Sequence, residues 1–584
     1  MLSFAIPNEF LLFGSPFIGF FSLTPLYIML SKAKSYREAF WLCFLNGALT
    51  HFLSSFWLGN FMGYAAFTLG ASGIGTGFVE GFLSFFFYYF IAIFTKQTKL
   101  EETCGKKTFF LQFRIIWFAS LYSVWEWVKS TGFLGYPWGT VSMTAFKWPL
   151  ITQIADITGV YGITWLFAFF SAIIGEGSLI IENFSISEGK PQLADAYKKI
   201  FSVGAVFLGI TTFYGIYQYT LQRVPVKYMN TVFVQQSRDP WEKTEKARAA
   251  TITLSQKLSE EKITEFADEG ITTDLVVWSE AVLQKRFPKK STLNYYATFP
   301  EDEPLFDFIK RMGTPFIIGG PYVLNDWRHE YGNSALLFDR NGILSGSYQK
   351  MHLVPFAELI PYRQFDFVRI LIKKLAGFSY GWTPGKKPVL FEIPLSGPYS
   401  SPTPIFSLVP DSKKEKTTSV KISTPICFDD SAAEVCRALF FAGSEIFVNI
   451  TNDSWSKTDS AEIQHFVVAH YRAIEYRTTL ARSANAGYSV VVDPAGKVLA
   501  DMPLFTPDAM AVKVPIFERK ITIYAKFGNW LPEICAILAA AFIIYSECRT
   551  KEKIEYISTE CLVNGFWLSE LEEQWKVDWT NWNI

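Results

Sequence analysis

Three residues that could act together in acyl transfer lie at or near the ends of apolar runs. Glu280 ends the run 274–280, Cys427 lies near the end of 421–430, and Lys350 lies between these runs in the chain. A carboxylate can take a thiol proton, the thiolate can attack a carbonyl carbon, and an ammonium can stabilise both the thiolate and the oxyanion. These residue types are sufficient for acyl transfer through a thioester.

Each of these residues also has a purely structural interpretation. A single cysteine at the end of a buried strand is more often an inert small hydrophobic residue. Glu280 could be a solvated strand terminus, and Lys350 taken alone would be an ordinary surface lysine. The spacing of the three residues does not by itself distinguish these interpretations from a catalytic role.

The elements that would position these residues form an α/β pattern. Most predicted strands are nearly continuous runs of Val, Ile and Phe, which is typical of buried strands, and helical segments at 242–269 and 461–479 lie between them. The predicted strands are 231–236, 274–280, 314–320, 333–339, 421–429, 445–451 and 489–494. Sites in α/β proteins assemble at strand ends, so a sheet sandwich covered by helices would bring the three residues together.

The rest of the chain has the composition of a membrane protein. Hydrophobic residues make up 50% and aromatic residues 17% of 584 residues, and the mean hydropathy is positive. Seven apolar stretches are candidates to cross a bilayer, the last of them weaker than the others. They lie near 10–30, 39–61, 70–94, 109–128, 158–181, 201–219 and 530–546.

Charge and cysteine content exclude several function classes. Lys+Arg and Asp+Glu balance at 54 each, so the basic field that nucleic-acid binding requires is absent. The seven cysteines are scattered, with neither a CxxC pair nor a Cys/His ligand spacing. We therefore expect no disulfide framework, no metal and no cofactor.

Lysine and arginine in the short loops predict the orientation of the chain. The first loop carries Lys32, Lys34 and Arg37 and is expected to be cytoplasmic, whereas the second loop is uncharged. Alternation then places the α/β domain outside the cytoplasm. It also places the N-terminus outside, although the chain opens without a cleavable signal pattern, so we expect a first helix to be missing. The predicted parts are a helical membrane domain (1–222), the α/β domain (225–520), a terminal membrane helix (521–547) and a cytoplasmic tail (548–584).

The joint motif pattern resembles a known superfamily. Trp278-x-Glu280, Lys350-x-x-Leu-x-Pro-Phe-x-Glu358 and Cys427-x-Asp429, in this order, are similar to the carbon–nitrogen hydrolase (nitrilase) superfamily, whose members use a Glu-Lys-Cys triad. The flanking helices narrow the resemblance to the apolipoprotein N-acyltransferase family. This implies a polytopic helical membrane domain joined to a nitrilase-like α-β-β-α sandwich.

Three further segments are similar to signatures of this family. They are 131–139, which contains a Pro-Trp loop, 449–465, which follows the cysteine, and 482–487. Considered individually, Asp453 is expected in a turn, His465 as a capped core residue and Arg482 as a structural ion-pair partner.

The resemblance assigns a role to each matching residue. Cys427 corresponds to the nucleophile that carries the thioester, Glu280 to the general base, Lys350 to the group that stabilises the oxyanion, and Glu358 to a supporting acid. A cationic Lys350 would lower the pKa of the Cys427 thiol.

Three more positions are implied to support the site or bind substrate. Trp241 aligns with an aromatic residue of a mobile substrate-binding arm, with simple packing as the alternative. Phe428 and Asp429 occupy positions where the family commonly has Tyr and Glu. The chain therefore lacks a phenolic hydroxyl there and has a shorter acid, which could alter handling of the acceptor.

The implied reaction is a ping-pong acyl transfer at a membrane. A phospholipid would acylate Cys427, and the α-amine of a diacylglyceryl-cysteine apolipoprotein would attack the thioester. We expect a monomer in the bacterial inner membrane with its catalytic domain facing the periplasm. The aromatic and cationic segment 362–382 is predicted to enter the outer leaflet as a lid hinged at Gly377 and Gly381, with an ordinary amphipathic surface helix as the alternative.

Two other function classes remain open from the residues alone. A membrane-anchored amidase or nitrilase would use the same three residues and pass the acyl group to water. A receptor or transporter with a non-catalytic nitrilase-like domain would form no thioester at Cys427.

Overall fold

A computed structural model describes residues 1–61, 65–103, 110–184, 191–242, 244–359, 362, 365–376, 381–396 and 419–546. Within them, a helical part is followed by an α/β part and then by one more apolar helix. The predicted tail (548–584) and the predicted hinge at Gly377 lie outside the described residues.

The helical part begins with short helices and continues with long ones. It consists of α1 (Leu2–Ala5), α2 (Pro16–Phe21), α3 (Thr24–Lys32), α4 (Tyr36–Ser54), α5 (Ser72–Thr103), α6 (Phe110–Ser130), α7 (Val141–Thr144), α8 (Pro149–Thr152), α9 (Ala155–Thr158), α10 (Val160–Phe184) and α11 (Pro191–Thr220). The first predicted membrane span is divided between α2 and α3. Pro25 lies in the first turn of α3, where proline is tolerated, but it would interrupt a single continuous helix.

Three helical segments of the described chain are long and apolar enough to cross a membrane. They are Ala66–Ile93, Val160–Glu182 and Tyr197–Thr220, whereas the apolar helix Trp530–Ser546 is shorter. Of an apolar stretch of 18 residues within each segment, 78% is buried in the second segment and 17% in the third. Val160–Glu182 is therefore the central helix, and Tyr197–Thr220 presents its apolar side chains at the periphery.

The α/β part contains two six-stranded mixed sheets. The strands are β1 (Lys227–Gln235), β2 (Leu275–Trp278), β3 (Phe316–Asn325), β4 (Glu330–Phe338), β5 (Leu344–Gln349), β6 (Leu390–Pro394), β7 (Ser419–Ser423), β8 (Ile446–Thr451), β9 (Thr479–Ala484), β10 (Val490–Val492), β11 (Val498–Asp501) and β12 (Asp508–Ile516). The first sheet has the order β12-β1-β2-β3-β4-β5 and the second β11-β10-β9-β8-β7-β6. In each sheet three adjacent strands are parallel, β1 to β3 and β7 to β9, and the flanking pairs are antiparallel.

The two sheets pack face to face with helices outside them. The Ser483 hydroxyl on β9 donates one hydrogen bond across the interface, shared between the carbonyl oxygens of Val234 and Val277, which both lie 3.1 Å from its oxygen. The remaining helices are α12 (Glu245–Asp268), α13 (Lys290–Tyr296), α14 (Leu305–Met312), α15 (Asp366–Ala376), α16 (Ala433–Phe441), α17 (Asp459–Tyr476), α18 (Ile523–Phe527) and α19 (Trp530–Ser546). Helices α12 and α14 share a core with the first sheet, and α16 and α17 contribute to the core of the second. The predicted α-β-β-α sandwich is confirmed.

Helix α17 connects the sandwich to the helical part. Almost all of its residues are buried, because one side covers the second sheet and the other contacts the helices before residue 160. Gln464 donates to the carbonyl oxygens of Pro7 (2.7 Å) and Ser54 (2.8 Å), and Tyr471 donates to that of Ser142 (2.6 Å). The α/β part is thus fixed against the helical part through these three contacts.

Seven of the twelve strands in the described residues were predicted from the sequence, and five were not. All seven predicted strands overlap observed ones, but β5, β6, β9, β11 and β12 were not predicted. β9 has the sequence TLARSA and is buried throughout, and the hydroxyls of Thr479 and Ser483 and Nη1 of Arg482 each have a hydrogen-bond partner. A hydropathy pattern does not reveal a strand whose polar groups are satisfied only by tertiary contacts.

Candidate active site

The three predicted triad residues follow strands β2, β5 and β7. Glu280 lies two residues after β2, and Lys350 directly follows β5. The prediction of a strand through Cys427 was wrong, because β7 ends at Ser423 and Cys427 begins a 3₁₀ turn, Cys427–Asp429. Its φ of 48° is unusual for a non-glycine residue, and such backbone strain is concentrated at functional sites.

A buried ammonium lies between two of the predicted carboxylates. Lys350 Nζ is 2.8 Å from Glu358 Oε2 and 3.6 Å from Glu280 Oε1, and Lys350 is 1% exposed. Asn333, which the sequence had suggested only as the start of a strand, donates to Glu280 Oε1 (2.6 Å) and Glu358 Oε1 (3.2 Å). The structure therefore brings Glu280, Lys350 and Glu358 into one network and adds Asn333 to it.

The charge states within this network follow from burial and mutual fields. Burial disfavours the cation of Lys350, yet Cys427, Glu358 and Glu280 together raise its pKa well above the usual value, so it stays protonated. Burial raises the pKa of Glu280, and the Lys350 ammonium opposes that rise. A raised pKa makes the Glu280 carboxylate a stronger base for the thiol proton.

The predicted low pKa of the nucleophile is wrong for the resting protein. Burial, together with the carboxylate of Glu280, raises the pKa of the Cys427 thiol well above the usual value, and Lys350 only partly offsets this. The sulfur is therefore a thiol in the resting state, and forming the thiolate requires transfer of its proton to a base.

Asp429 ties the cysteine turn to the end of strand β5. Its buried carboxylate accepts from the backbone N–H groups of His352 (2.7 Å), Met351 (3.1 Å) and Ile426 (3.1 Å) and from the Tyr348 hydroxyl (2.8 Å). Burial raises its pKa to about 7 in spite of these bonds. Asp429 therefore holds the Lys350 and Cys427 segments in register.

The aromatic residues of the site meet the Pro-Trp loop of the helical part. The Phe428 ring stacks on Trp138, with centroids 5.4 Å apart and planes 4° apart, and its other ring neighbour is His352 at 5.1 Å. A phenolic hydroxyl is missing at this position, so Phe428 contributes packing alone. The stack joins the turn that carries the nucleophile to the helical part.

The other aromatic residue predicted to bind substrate, Trp241, contacts a different group of rings. Its ring contacts Phe61 at 5.4 Å, and Phe61 contacts Trp455 at 5.5 Å. Within the described chain no hydrogen bond or ring contact joins Trp241 to Glu280, Lys350 or Cys427. The role of Trp241 in substrate binding stays a prediction.

A second polar cluster contacts the sulfur through residues for which only structural roles had been predicted. Cys427 Sγ is 3.9 Å from Asp453 Oδ1, and His465 bridges Asp453 Oδ2 (Nδ1, 2.7 Å) and Asp430 Oδ1 (Nε2, 2.9 Å). Arg482 forms an ion pair with the other oxygen of Asp430. The prediction of Asp453 as a turn residue did not include its contact with the thiol. Asp453 lies 26 residues after Cys427 in the chain, so no local sequence pattern indicates this contact.

This cluster could be mistaken for a metal site. One ligand atom each of Cys427, Asp453 and His465 lies within 4.8 Å of the others. Burial opposes a charge on His465, but Asp453 and Asp430 raise its pKa to about 9, so the ring is an imidazolium at neutral pH. Both ring nitrogens then donate to carboxylates, and neither has a lone pair for a metal ion. The donor set fits an ion-pair network.

The fold and this constellation define a carbon–nitrogen hydrolase-type domain attached to a helical part. The family model "Carbon-nitrogen hydrolase" matches residues 234–517, and "Apolipoprotein N-acyltransferase N-terminal domain" matches residues 1–173. "Apolipoprotein N-acyltransferase 2" of Treponema denticola is 38% identical over 94% of this chain and 96% of its own. The protein of the same name from Treponema pallidum is 37% identical over 92% of each chain.

The chain belongs to the apolipoprotein N-acyltransferase family, so the resemblance predicted from its motifs is confirmed. The apolipoprotein N-acyltransferase of Borreliella burgdorferi is 28% identical over 93% of each chain. A solved carbon-nitrogen hydrolase from Helicobacter pylori G27 aligns over 54% of this chain and 94% of its own, at 16% identity and a TM-score of 0.32.

Proposed function

We propose that this protein transfers a fatty acyl chain from a phospholipid, through a thioester on Cys427, to the N-terminal amine of the diacylglyceryl-cysteine of an apolipoprotein. The observation that carries the proposal is the buried ammonium of Lys350 between the carboxylates of Glu280 and Glu358. Lys350 and Cys427 interact electrostatically, and the chain belongs to the N-acyltransferase family. Neither a metal nor a cofactor enters the reaction.

The first half-reaction uses the buried network. Glu280 takes the proton of the Cys427 thiol, and the thiolate attacks the ester carbonyl of the phospholipid. Lys350 stabilises the thiolate and then the oxyanion, and Glu358 and Asn333 hold the ammonium and the base in place. The proton on Glu280 passes to the departing alkoxide, which leaves as lysophospholipid.

Access to lipid is the physical requirement that this site must satisfy. Drawing an acyl chain into water costs about 0.8 kcal/mol for each CH₂, so the site has to open near the bilayer. Three apolar helices and the contact of α17 with the helical part support such a position. We further propose that the protein is a monomer of the bacterial inner membrane, with residues 225–520 facing the periplasm.

Helix α15 is the proposed lid. Phe367 and Ile370 on α15 expose 69% and 65% of their surfaces, and Phe365 just before the helix exposes 50%. The helix also carries the exposed cations Lys373 and Lys374. Apolar side chains combined with cations are typical of helices that lie in the interface of a bilayer. In the lid proposal α15 covers the acyl chain while it is attached to Cys427.

Membership in the N-acyltransferase family does not favour the two alternative functions, a membrane-anchored amidase or nitrilase and a non-catalytic receptor or transporter. An amidase would pass the acyl group to water and release free fatty acid, and a non-catalytic receptor would form no adduct. Both therefore differ from an acyltransferase in a measurable product.

The decisive experiment is detection of the acyl-enzyme. Full-length protein is incubated with a phospholipid labelled in its acyl chain, and peptides are examined by mass spectrometry for a hydroxylamine-labile adduct on Cys427. We expect the adduct in the wild type and in the matched variant Cys535→Ala, and its absence in Cys427→Ala. Adding a diacylglyceryl-cysteine lipopeptide should convert the adduct to a triacylated peptide. An unmodified Cys427, or release of the label only as free fatty acid, would contradict the proposal.

A further inference from the structure

Asp453 presents a carboxylate oxygen to the nucleophile. Oδ2 accepts from His465 Nδ1 (2.7 Å) and from the Thr451 hydroxyl (3.0 Å). Among the described residues, Oδ1 has one hydrogen-bond donor, the thiol of Cys427 at 3.9 Å. Among the neighbouring carboxylates, Glu280 Oε1 already accepts from Asn333, and Glu358 Oε2 is already paired with Lys350. Asp453 Oδ1 lies beside the sulfur and has capacity for another donor.

The charge of Asp453 is fixed by its surroundings. Its side chain is 12% exposed, and although burial disfavours the anion, the imidazolium of His465 and the guanidinium of Arg482 hold its pKa below the usual value. A carboxylate with a lowered pKa is a weak base but a stable negative charge. Asp453 is thus better suited to binding a cation than to taking a proton from the thiol.

Acylation of Cys427 changes what this oxygen can bind. The thioester has no S–H, so Oδ1 loses its donor when the first half-reaction ends, and a buried acceptor without a donor costs free energy. The next reactant is a primary amine, which enters as an ammonium with three N–H donors. A nitrogen bound at Oδ1 would lie beside the sulfur and hence near the carbonyl carbon bonded to it.

We infer that Asp453 is the docking group for the α-ammonium of the acceptor and acts in the second half-reaction. This inference rests on the proposed function. The ammonium binds Oδ1, loses one proton to solvent and attacks the thioester carbon as a free amine. The C–N bond forms as the C–S bond breaks, and the second nitrogen proton passes through Glu280 to the thiolate. The restored S–H again faces Asp453, and the products are an amide, the free thiol and one released proton.

The test separates the two half-reactions. Full-length wild type, Asp453→Asn and the matched control Asp459→Asn, an exposed acid in the same segment, are loaded with labelled acyl chain from phospholipid. Decay of the Cys427 thioester is then followed after adding either a diacylglyceryl-cysteine lipopeptide or hydroxylamine, which is uncharged at neutral pH. We expect Asp453→Asn to form the thioester but to lose it to the lipopeptide about 10- to 100-fold more slowly, the range for one charge-assisted hydrogen bond.

The hydroxylamine arm shows whether the effect depends on the charge of the nucleophile. We expect its rate in Asp453→Asn to stay within about threefold of the wild type, since a neutral nucleophile needs no anionic docking group. An unchanged lipopeptide rate, an equal slowing of both nucleophiles, or loss of thioester formation in Asp453→Asn would each overturn the inference. Absence of the thioester in the wild type would instead refute the proposed function.

Discussion

The substitution Glu358→Gln tests how the site holds its ammonium. Lys350 Nζ is 2.8 Å from Glu358 Oε2 and 3.6 Å from Glu280 Oε1. At an effective dielectric constant of about 20, the attraction across the shorter distance is about 6 kcal/mol. The amide oxygen of glutamine still accepts a hydrogen bond, so we expect a net loss of about 3 kcal/mol, at the lower end for breaking a buried pair.

This loss should appear in the acylation step. Without the charge of Glu358 the ammonium moves toward Glu280, and a closer ion pair makes Glu280 a poorer base for the thiol. A loss of about 3 kcal/mol corresponds to roughly a 100-fold slower acylation of Cys427. The rate is measured as thioester formation from labelled phospholipid, with Glu392→Gln, an exposed glutamate on β6, as the matched control. Acylation within about threefold of the wild type in a folded Glu358→Gln protein would refute this account of Lys350.

Two further predictions concern the second cluster and the lid. The pKa of His465 is raised from 6.5 to about 9, so its contribution of roughly 3 kcal/mol is complete below about pH 6.5 and is lost as the pH rises through about 9. We expect the melting temperature to fall between about pH 8 and about pH 10 in the wild type and to fall less in His465→Gln; parallel curves would contradict the assignment. Phe367→Glu on α15 should slow acylation from phospholipid vesicles about 10-fold but not from a short-chain soluble ester, whereas equal slowing of both would argue against a lid.

The chemistry of the site could be predicted from the chain because it depends on residue types beside apolar runs. Glu280 follows the predicted strand β2, whereas Lys350 follows β5, which was not predicted, and Cys427 lies in a turn beyond the end of β7. Glu358, which the resemblance implied to be a supporting acid, lies 2.8 Å from Lys350. Their catalytic roles stay predictions that the Cys427 adduct experiment tests.

The parts that the sequence did not reveal depend on long-range contacts. Asn333 contacts Glu280 across 53 positions, and His465 contacts Asp430 across 35. Each of these polar side chains can be buried because a residue of another element forms a hydrogen bond with it. Local hydropathy does not indicate which residue that partner is. Asn333 was therefore seen only as part of a strand and His465 as a core residue.

The protonation state of Cys427 is the clearest example of a property that the residue order does not predict. Residue types and their order were enough to predict a thiol, an ammonium and carboxylates, the apolar helices that flank them and the α/β sandwich that carries them. The contacts between elements were needed to show that burial and Glu280 outweigh Lys350 and keep Cys427 protonated, and that Asp453 faces its sulfur. Desolvation and Coulomb energies depend on distances between atoms of different elements, and the order of residues does not specify those distances.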